Sequence, residues 1–292
     1  MIAALAAAAL LAAGPASTLR FAEQSAPGLD PALASTPDAV MLQNAICDRL
    51  YRTTPAGAVV PQIAKGLPVA GRNAERPKQW TTYTIRLKTT YRFADGSPVT
   101  AYSFADAFAR DANPDMASPA LPQLKRIVGV AAVAKSAAST VSGVRAVDDT
   151  TLQVATMRRD PTLVDLLAEP YLCPVEEDTP VAPGGIVVPP SAGPYYVKEN
   201  VPGEILLARN PYYGGTRKVR FAQIDLATGI GFDGCRRRLG RGGVDICLDG
   251  LPQHAARADL AQLAGEGWIG KSVGCLAWEP KIRLDLTALC RA

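Results

Sequence analysis

The sharpest local signal in the sequence is the segment FADGSPVTA, residues 93–101. Asp95-Gly96 is a turn-forming dipeptide, and Thr100 is a suitable N-cap for the helical pattern that follows it. Upstream, residues 80–87 alternate between apolar and polar side chains, as a half-buried strand does. The segment therefore predicts a turn from strand to helix, which is typical of an α/β fold.

The same kinds of pattern predict further elements on both sides of this turn. They are a strand at 19–22, a helix at 40–50 with Asp38 near its start, a hairpin at 144–155 turning at Asp148-Asp149, a hairpin at 195–208 turning at Pro202-Gly203, and a strand at 219–227. Prolines crowd residues 170–190 and predict a linker or crossing segment there.

Composition excludes several classes of protein. Of 292 residues, 48% are hydrophobic and 20% are charged, which excludes a disordered chain. Lys plus Arg number 31 and Asp plus Glu 27, so the net charge of +4 is too dilute to indicate a nucleic-acid partner. The only histidine is His254, and this leaves little scope for a metal site or imidazole chemistry.

The first residues predict an export signal. Residues 2–13 are an unbroken apolar run, too short to span a bilayer, and small residues follow at 14–17. No Lys or Arg precedes the run, so the signal lacks a basic n-region. A buried Ala-rich helix is the alternative. We expect residues 1–17 to be a signal peptide and the protein to be periplasmic.

Six cysteines are spread widely along the chain, at Cys47, Cys173, Cys235, Cys247, Cys275 and Cys290. No CxxC pair occurs, which excludes zinc ribbons and thioredoxin-type redox motifs. The spacing is irregular, and the chain is large enough to form a stable core without disulfide bonds. We therefore expect mostly buried thiols with at most one disulfide.

Several short motifs occur in order along the chain and resemble those of one protein family. They are Leu29-Asp30-Pro31, Cys47 to Tyr51, Pro61 to Ala64, Tyr83 to Leu87, residues 93–101, Gly193-Pro194-Tyr195, Asn210 to Gly215 and Gly243 to Ile246. Together they resemble the peptide- and nickel-type solute-binding proteins of bacterial ABC importers, solute-binding family 5. Asp115 to Pro119 and Gly143 to Asp149 resemble its oligopeptide-binding branch.

The resemblance implies a fold and a domain plan. The fold class is α/β, a periplasmic-binding-protein-like (class II) clamshell whose first lobe carries an inserted small domain. Lobe I would comprise residues 18–55 and 178–270, and the inserted α/β domain residues 56–177. Typical members are nearly twice as long, so the second lobe is expected to be largely absent, and residues 271–292 are an atypical tail. A truncated gene is the natural interpretation.

The resemblance also implies a ligand site. In the oligopeptide branch an extended peptide lies as a strand against backbone shortly after the Leu-Asp-Pro segment. That stretch corresponds to Ser35, Thr36 and Pro37, and Pro37 lacks an N–H to donate. A solvated loop is an equal alternative for Ser35 and Thr36. Two further family contacts fall on Ala120 and Phe232, which become candidate pocket-lining residues.

The function implied is capture of an oligopeptide or similar solute for delivery to the ABC permease subunits in the inner membrane. No catalytic residue, metal or cofactor is expected, and the protein is expected to be a monomer. The chain is therefore not expected to be an enzyme.

Three other interpretations have some support in the sequence. Gly229 to Gly234 form a GxGxxG after a strand, the outline of a nucleotide-dependent enzyme. Against this, little room for a helix remains before the next strand. The Arg236–Arg238 run and Arg241 fit a phosphate site less well than a solvated helix face. His254 lacks the Gly-x-Ser-x-Gly elbow of a hydrolase triad.

Overall fold

The structure is a computed structural model that describes residues 18–54, 56–72 and 80–248. The signal segment 1–17, the tail 271–292, His254, Cys275 and Cys290 lie outside these ranges. The strands are β1 (Thr18–Ala22), β2 (Tyr51–Thr53), β3 (Val59–Pro61), β4 (Val69–Arg72), β5 (Thr81–Arg86), β6 (Val144–Asp148), β7 (Thr151–Thr156), β8 (Tyr195–Val201), β9 (Glu204–Arg209), β10 (Gln223–Ala227) and β11 (Ile246–Cys247).

The described residues form six α-helices, three of which are short. The six are α1 (Pro37–Ile46), α2 (Ala101–Ala112), α3 (Leu121–Leu124), α4 (Val130–Val133), α5 (Leu163–Leu166) and α6 (Phe232–Gly240). Single 3₁₀ turns occur at Pro31–Leu33, Pro114–Met116 and Pro170–Leu172. No helix within the described ranges is long and apolar enough to cross a membrane.

The first sheet has the strand order β11-β1-β10-β9-β8. β1 is parallel to both neighbours, whereas β9 is antiparallel to both of its neighbours, β10 and β8. Helix α1 covers one face, where Leu42 and Ile46 pack in a core cluster with Leu19, Leu207 and Leu226. This core is built from residues that are far apart in sequence.

The second sheet is antiparallel throughout, with the order β4-β5-β7-β6. Helix α2 packs on it, and the fully buried Phe104 and Phe108 join Ile85, Leu152 and Val154 in the largest core cluster. The predicted strand at 80–87 and the helix after Thr100 are therefore confirmed. The N–H of Thr100 donates to Ser103 Oγ at 3.3 Å, which helps to define the first turn of α2.

Both predicted hairpins are confirmed as β6–β7 and β8–β9. Asp148 Oδ1 accepts from the N–H of Thr150 at 2.8 Å in the first turn. Gly203 in the second has a φ of +94°, which favours glycine. The predicted strands at 19–22 and 219–227 correspond to β1 and β10, the latter shorter than expected.

Helix α1 begins earlier and ends earlier than the sequence pattern indicates. Its N-cap is Thr36 rather than Asp38, with Thr36 Oγ1 accepting from the Ala39 N–H at 3.3 Å. Pro37 occupies the first turn, where its missing N–H costs nothing. The backbone becomes extended at Cys47, so residues 47–50 are not helical.

The proline-rich segment at 170–190 crosses between the two cores. The backbone of this segment is hydrogen-bonded to α2. The Val175 N–H donates to Ser103 O at 3.1 Å, and Arg110 Nε donates to Pro180 O at 2.8 Å. Arg110 also forms a two-point ion pair with Asp30, at 2.7 and 2.5 Å, and the side chains are only 4% and 1% exposed. Asp30 therefore joins the start of the chain to α2 and to this crossing segment.

We predict that Arg110→Gln destabilises the protein by about 3 kcal/mol or more, because it leaves the buried Asp30 carboxylate without its cation. Arg20→Gln is the control, since the Arg20–Asp245 pair is partly exposed and is worth about 1 kcal/mol or less. Urea unfolding, monitored by circular dichroism, measures the free energy of unfolding of both variants. Equal losses in the two variants would contradict the assignment.

The expectation of at most one disulfide is wrong. The four described cysteines form two disulfides, Cys47–Cys173 and Cys235–Cys247. Their Cα atoms are 6.0 and 5.9 Å apart, within the range that a disulfide bridges. Sequence spacing concealed the first pair because the end of α1 meets the 3₁₀ turn at Pro170–Leu172 only in the folded chain.

We predict that the two disulfides contribute unequally to stability. Cys47–Cys173 encloses a separation of 126 residues and Cys235–Cys247 one of 12. In the chain-entropy model these correspond to about 5 and about 3 kcal/mol. Unfolding of the double-alanine variant at each pair measures the difference. A larger loss at Cys235–Cys247 would show that local packing, rather than loop entropy, dominates.

Candidate functional site

A cavity lined by described residues has a volume of about 630 Å³. One wall is α1, the floor is the first sheet, and the remaining walls are the backbone at 168–171 and the loop at 217–221. Residues that line it include Leu19, Ser35, Asn44, Arg49, Glu169, Tyr195, Arg217, Phe221 and Ile224. The cavity is therefore lined by apolar side chains of the first sheet and by charged side chains from several other segments.

Ser35 lies in the wall of this cavity and is exposed. Neither its backbone N–H nor its C=O is hydrogen-bonded within the described part of the chain. Thr36 C=O is already used by the Val40 N–H at 2.9 Å, and Pro37 has no N–H. Of the three residues singled out from sequence, Ser35 is the one with both backbone groups available.

Ala120 and Phe232 lie elsewhere. Ala120 is fully buried in the core cluster of the second sheet, so it does not line the cavity. Phe232 is the first residue of α6, half-buried, and is also outside the cavity lining.

Beneath the cavity, the fully buried Asp48 organises two other side chains. Asp48 Oδ1 pairs with Arg217 Nη2, and Asp48 Oδ2 accepts from the Tyr213 hydroxyl at 2.8 Å. Arg217 also donates to two carbonyl oxygens at the end of α1, those of Asn44 and Cys47. Burial and the Asp48 carboxylate raise the pKa of Tyr213 to about 12, so Tyr213 remains a hydrogen-bond donor.

Two glycines allow the chain to close around this cluster. A side-chain carbon at Gly193 would lie 2.4 Å from the carbonyl carbon of Ile46, and one at Gly214 would lie 1.8 Å from Thr90 O. The Asn210 side-chain amide donates to Gly193 O at 3.1 Å, and this hydrogen bond connects the segment that contains Gly214 with the segment that contains Gly193. The Gly-Pro-Tyr and Asn-Pro-Tyr-Tyr-Gly-Gly motifs therefore specify close backbone packing beside the cavity.

Arg49 lines the cavity but is almost fully buried, with 8% of its surface exposed. Burial, and secondly the nearby Arg217 charge, lower the pKa of Arg49 to about 10, so it is still a cation at neutral pH. Glu169 is half-buried in the same wall; burial raises the pKa of its carboxyl, and Arg49 opposes that shift. Sequence reasoning missed Arg49, Asp48 and Arg217, although the basic run at 217–220 was a usable signal.

The glycine loop at 229–234 connects β10 to α6, and α6 leads to β11. The two strands flank β1 in the sheet, so the outline of a β-α-β unit is present. Only three adjacent strands of this sheet, β11, β1 and β10, pair in parallel within the described residues, fewer than in a nucleotide-binding sheet. No group of His, Cys, Asp or Glu side chains within those residues is arranged to hold a metal ion.

A family model for "Bacterial extracellular solute-binding proteins, family 5 Middle" matches residues 58–272. The chain belongs to this family. Its members bind solutes and are not enzymes, so the nucleotide-dependent enzyme is not supported. The expected resemblance to family 5 and to oligopeptide-binding proteins is confirmed.

Three known proteins illustrate the similarity. The periplasmic oligopeptide-binding protein OppA of Salmonella typhimurium is 32% identical over 158 residues, 50% of this chain and 28% of that protein. The periplasmic murein peptide-binding protein MppA of Escherichia coli is 23% identical over 272 residues, 88% and 47% of the respective chains. The structure of Listeria monocytogenes OppA bound to peptide aligns with a TM-score of 0.72 at 20% identity, covering 86% of this chain and 49% of that one.

The mixed α/β expectation is thus confirmed over about half of the length of these binding proteins. The chain itself spans less than half of the curated relatives OppA and MppA.

We predict that Tyr213→Phe destabilises the protein by about 1.5–3 kcal/mol, because the buried Asp48 carboxylate loses a hydrogen bond. The neighbouring Tyr212→Phe is a matched control, since Tyr212 is 50% exposed. Thermal and urea unfolding of the two variants measure the difference. Indistinguishable variants would show that Asp48 does not depend on this hydroxyl.

Proposed function

We propose that this family 5 member is the substrate-binding component of an ABC importer. In this proposal it captures oligopeptides in the cavity beside Ser35 for delivery to permease subunits in the membrane. The observation that carries the proposal is the exposed backbone of Ser35 in the wall of that cavity, whose N–H and C=O have no partner among the described residues. An extended peptide can hydrogen-bond such a backbone whatever its side chains are.

The size and lining of the cavity support a small ligand. A volume of about 630 Å³ falls within the range typical of small-molecule sites. The lining offers apolar contact at Leu19, Tyr195 and Ile224, and its charged side chains can orient a bound ligand. The family relatives named as oligopeptide-binding and murein peptide-binding proteins make peptides the first ligands to test.

We also propose that the domain plan follows that of the family, with residues 18–55 and 178–270 forming lobe I and residues 56–177 an inserted domain. The first sheet draws its strands from 18–22 and 195–247, and the second draws its strands from 69–156. Each sheet has its own core cluster. A clamshell of this plan closes on its ligand by hinge motion.

The periplasm is the proposed compartment. Two disulfides among the described cysteines suit an oxidising environment. The four curated relatives are named as periplasmic proteins or periplasmic binding proteins. The monomeric state and the absence of a nucleic-acid partner belong to the same proposal.

Calorimetric titration of the purified chain with unprotected tri- to pentapeptides tests the function, with NAD as the comparison ligand. We expect heat from at least some peptides and none from NAD. In Ser35→Pro, which removes the Ser35 N–H, peptide affinity should fall by at least about tenfold, equal to about 1.4 kcal/mol. Ser35→Ala retains the backbone and should bind as the natural chain does.

Circular dichroism shows whether each variant is folded before it is titrated. A folded natural chain that binds no peptide contradicts the proposed function. Equal affinity in Ser35→Pro and Ser35→Ala contradicts the role of the Ser35 backbone.

A further inference from the structure

Positive charge dominates the lining of the cavity. Among the described residues, its cationic side chains are Arg49, Arg52, Arg217, Lys218 and Arg220, and its carboxylate is Glu169. Lys218 and Arg220 are exposed, whereas Arg49 is buried. An excess of one sign in a cleft with apolar walls raises the local concentration of ligands of the opposite sign.

Arg217 is not the residue that we expect to bind an anionic ligand, because its charge is already paired with that of Asp48. It pairs with Asp48, and both Asp48 oxygens are engaged, one by Arg217 and the other by Tyr213 at 2.8 Å. Arg49 is not among the partners within ion-pair distance of Asp48.

Arg49 is buried and forms no ion pair among the described residues; the Asp48 and Glu169 charges act on it only from beyond ion-pair distance. Its guanidinium makes one hydrogen bond within the described part of the chain, from Nη2 to Asn44 Oδ1 at 2.5 Å. Its Nε–H is buried and has no acceptor among those residues, and no carboxylate there lies within ion-pair distance of it. A cation buried this deeply without an ion pair, and with an unsatisfied N–H, is unfavourable, and such groups in native proteins call for an explanation.

We propose that Arg49 binds a carboxylate of the ligand, so that the cavity is selective for peptides carrying an accessible carboxylate. This rests on the proposed function, because Arg49 and Ser35 line the same cavity. A guanidinium with free N–H groups binds a carboxylate through two parallel hydrogen bonds, which gives orientation as well as affinity. Arg52, Lys218 and Arg220 then attract the anionic ligand towards the cavity.

Two sources of carboxylate are available in a peptide, an acidic side chain and the free C-terminus. Three tripeptides separate them: Ala-Glu-Ala amide, Ala-Gln-Ala amide and Ala-Gln-Ala with a free C-terminus. We expect one or both carboxylate-bearing peptides to bind the natural chain at least about 30-fold more tightly than the neutral amide. Which of the two binds tightly identifies the source.

The matched variants are Arg49→Gln, which removes the charge, and Arg20→Gln, which removes a partly exposed arginine of β1 outside the cavity lining. Arg49→Gln should abolish the preference by weakening the carboxylate peptides while leaving the neutral amide unchanged. Arg49→Lys should restore part of the preference, and Arg20→Gln should retain all of it.

A readout other than binding separates this role from a structural one. Because Arg49 carries a buried charge without an ion pair, Arg49→Gln should unfold in urea at the same or a higher concentration than the natural chain. A clear loss of stability would instead make Arg49 a structural residue and would overturn the proposal.

The binding outcomes distinguish the proposed carboxylate selectivity from the proposed peptide capture. If all three peptides bind equally, carboxylate selectivity is wrong and peptide capture stands. If none of the three binds, while other peptides give heat with the folded chain, carboxylate selectivity is again wrong. If no peptide of any kind binds, peptide capture fails and the role of Arg49 fails with it.

Discussion

The buried ion pair between Asp30 and Arg110 connects three parts of the chain that are distant in sequence. Asp30 accepts from Arg110 on α2, from the Ala32 N–H at 3.0 Å and from the Ile186 N–H at 2.9 Å. A buried charge separated from its partner costs several kcal/mol, so arrangements that part the two residues are strongly disfavoured. The turn at Pro31–Leu33, the crossing segment and α2 are therefore held in one relative position. Ser35 follows that turn directly, and its place in the cavity wall depends on the pair.

A second buried acid, Asp48, has the corresponding role on the other side of the cavity. It holds Arg217 against the end of α1 and receives the Tyr213 hydroxyl, while the Cys47–Cys173 disulfide joins the same end of α1 to the crossing segment. These contacts pair Arg217 with Asp48, whereas Arg49 has no ion pair among the described residues; the Nε–H groups of both arginines lack an acceptor there. The contrast between two neighbouring arginines, one paired and one not, gives the cavity its electrostatic character.

Much of the fold followed from local patterns that act over a few residues. Alternation at 80–87, the Asp95-Gly96 turn, the Thr100 cap and the two hairpin turns each predicted an element that the structure contains. Where prediction erred, one cause was local and the other was long-range packing. The α1 boundaries shifted because Thr36 and Pro37 make a better helix start than Asp38, and the disulfides depended on which distant elements meet.

The sequence by itself determined the elements, the order of the family motifs and the position of the stretch that contains Ser35, because turns, caps and periodicity are properties of neighbouring residues. Only the tertiary structure decided which charges are compensated, which cysteines pair, and that Ala120 is core rather than cavity. Those outcomes depend on contacts between residues as far apart as Asp48 and Arg217, and on burial, which no local pattern encodes. The cationic cavity beside Ser35 is the result of those contacts.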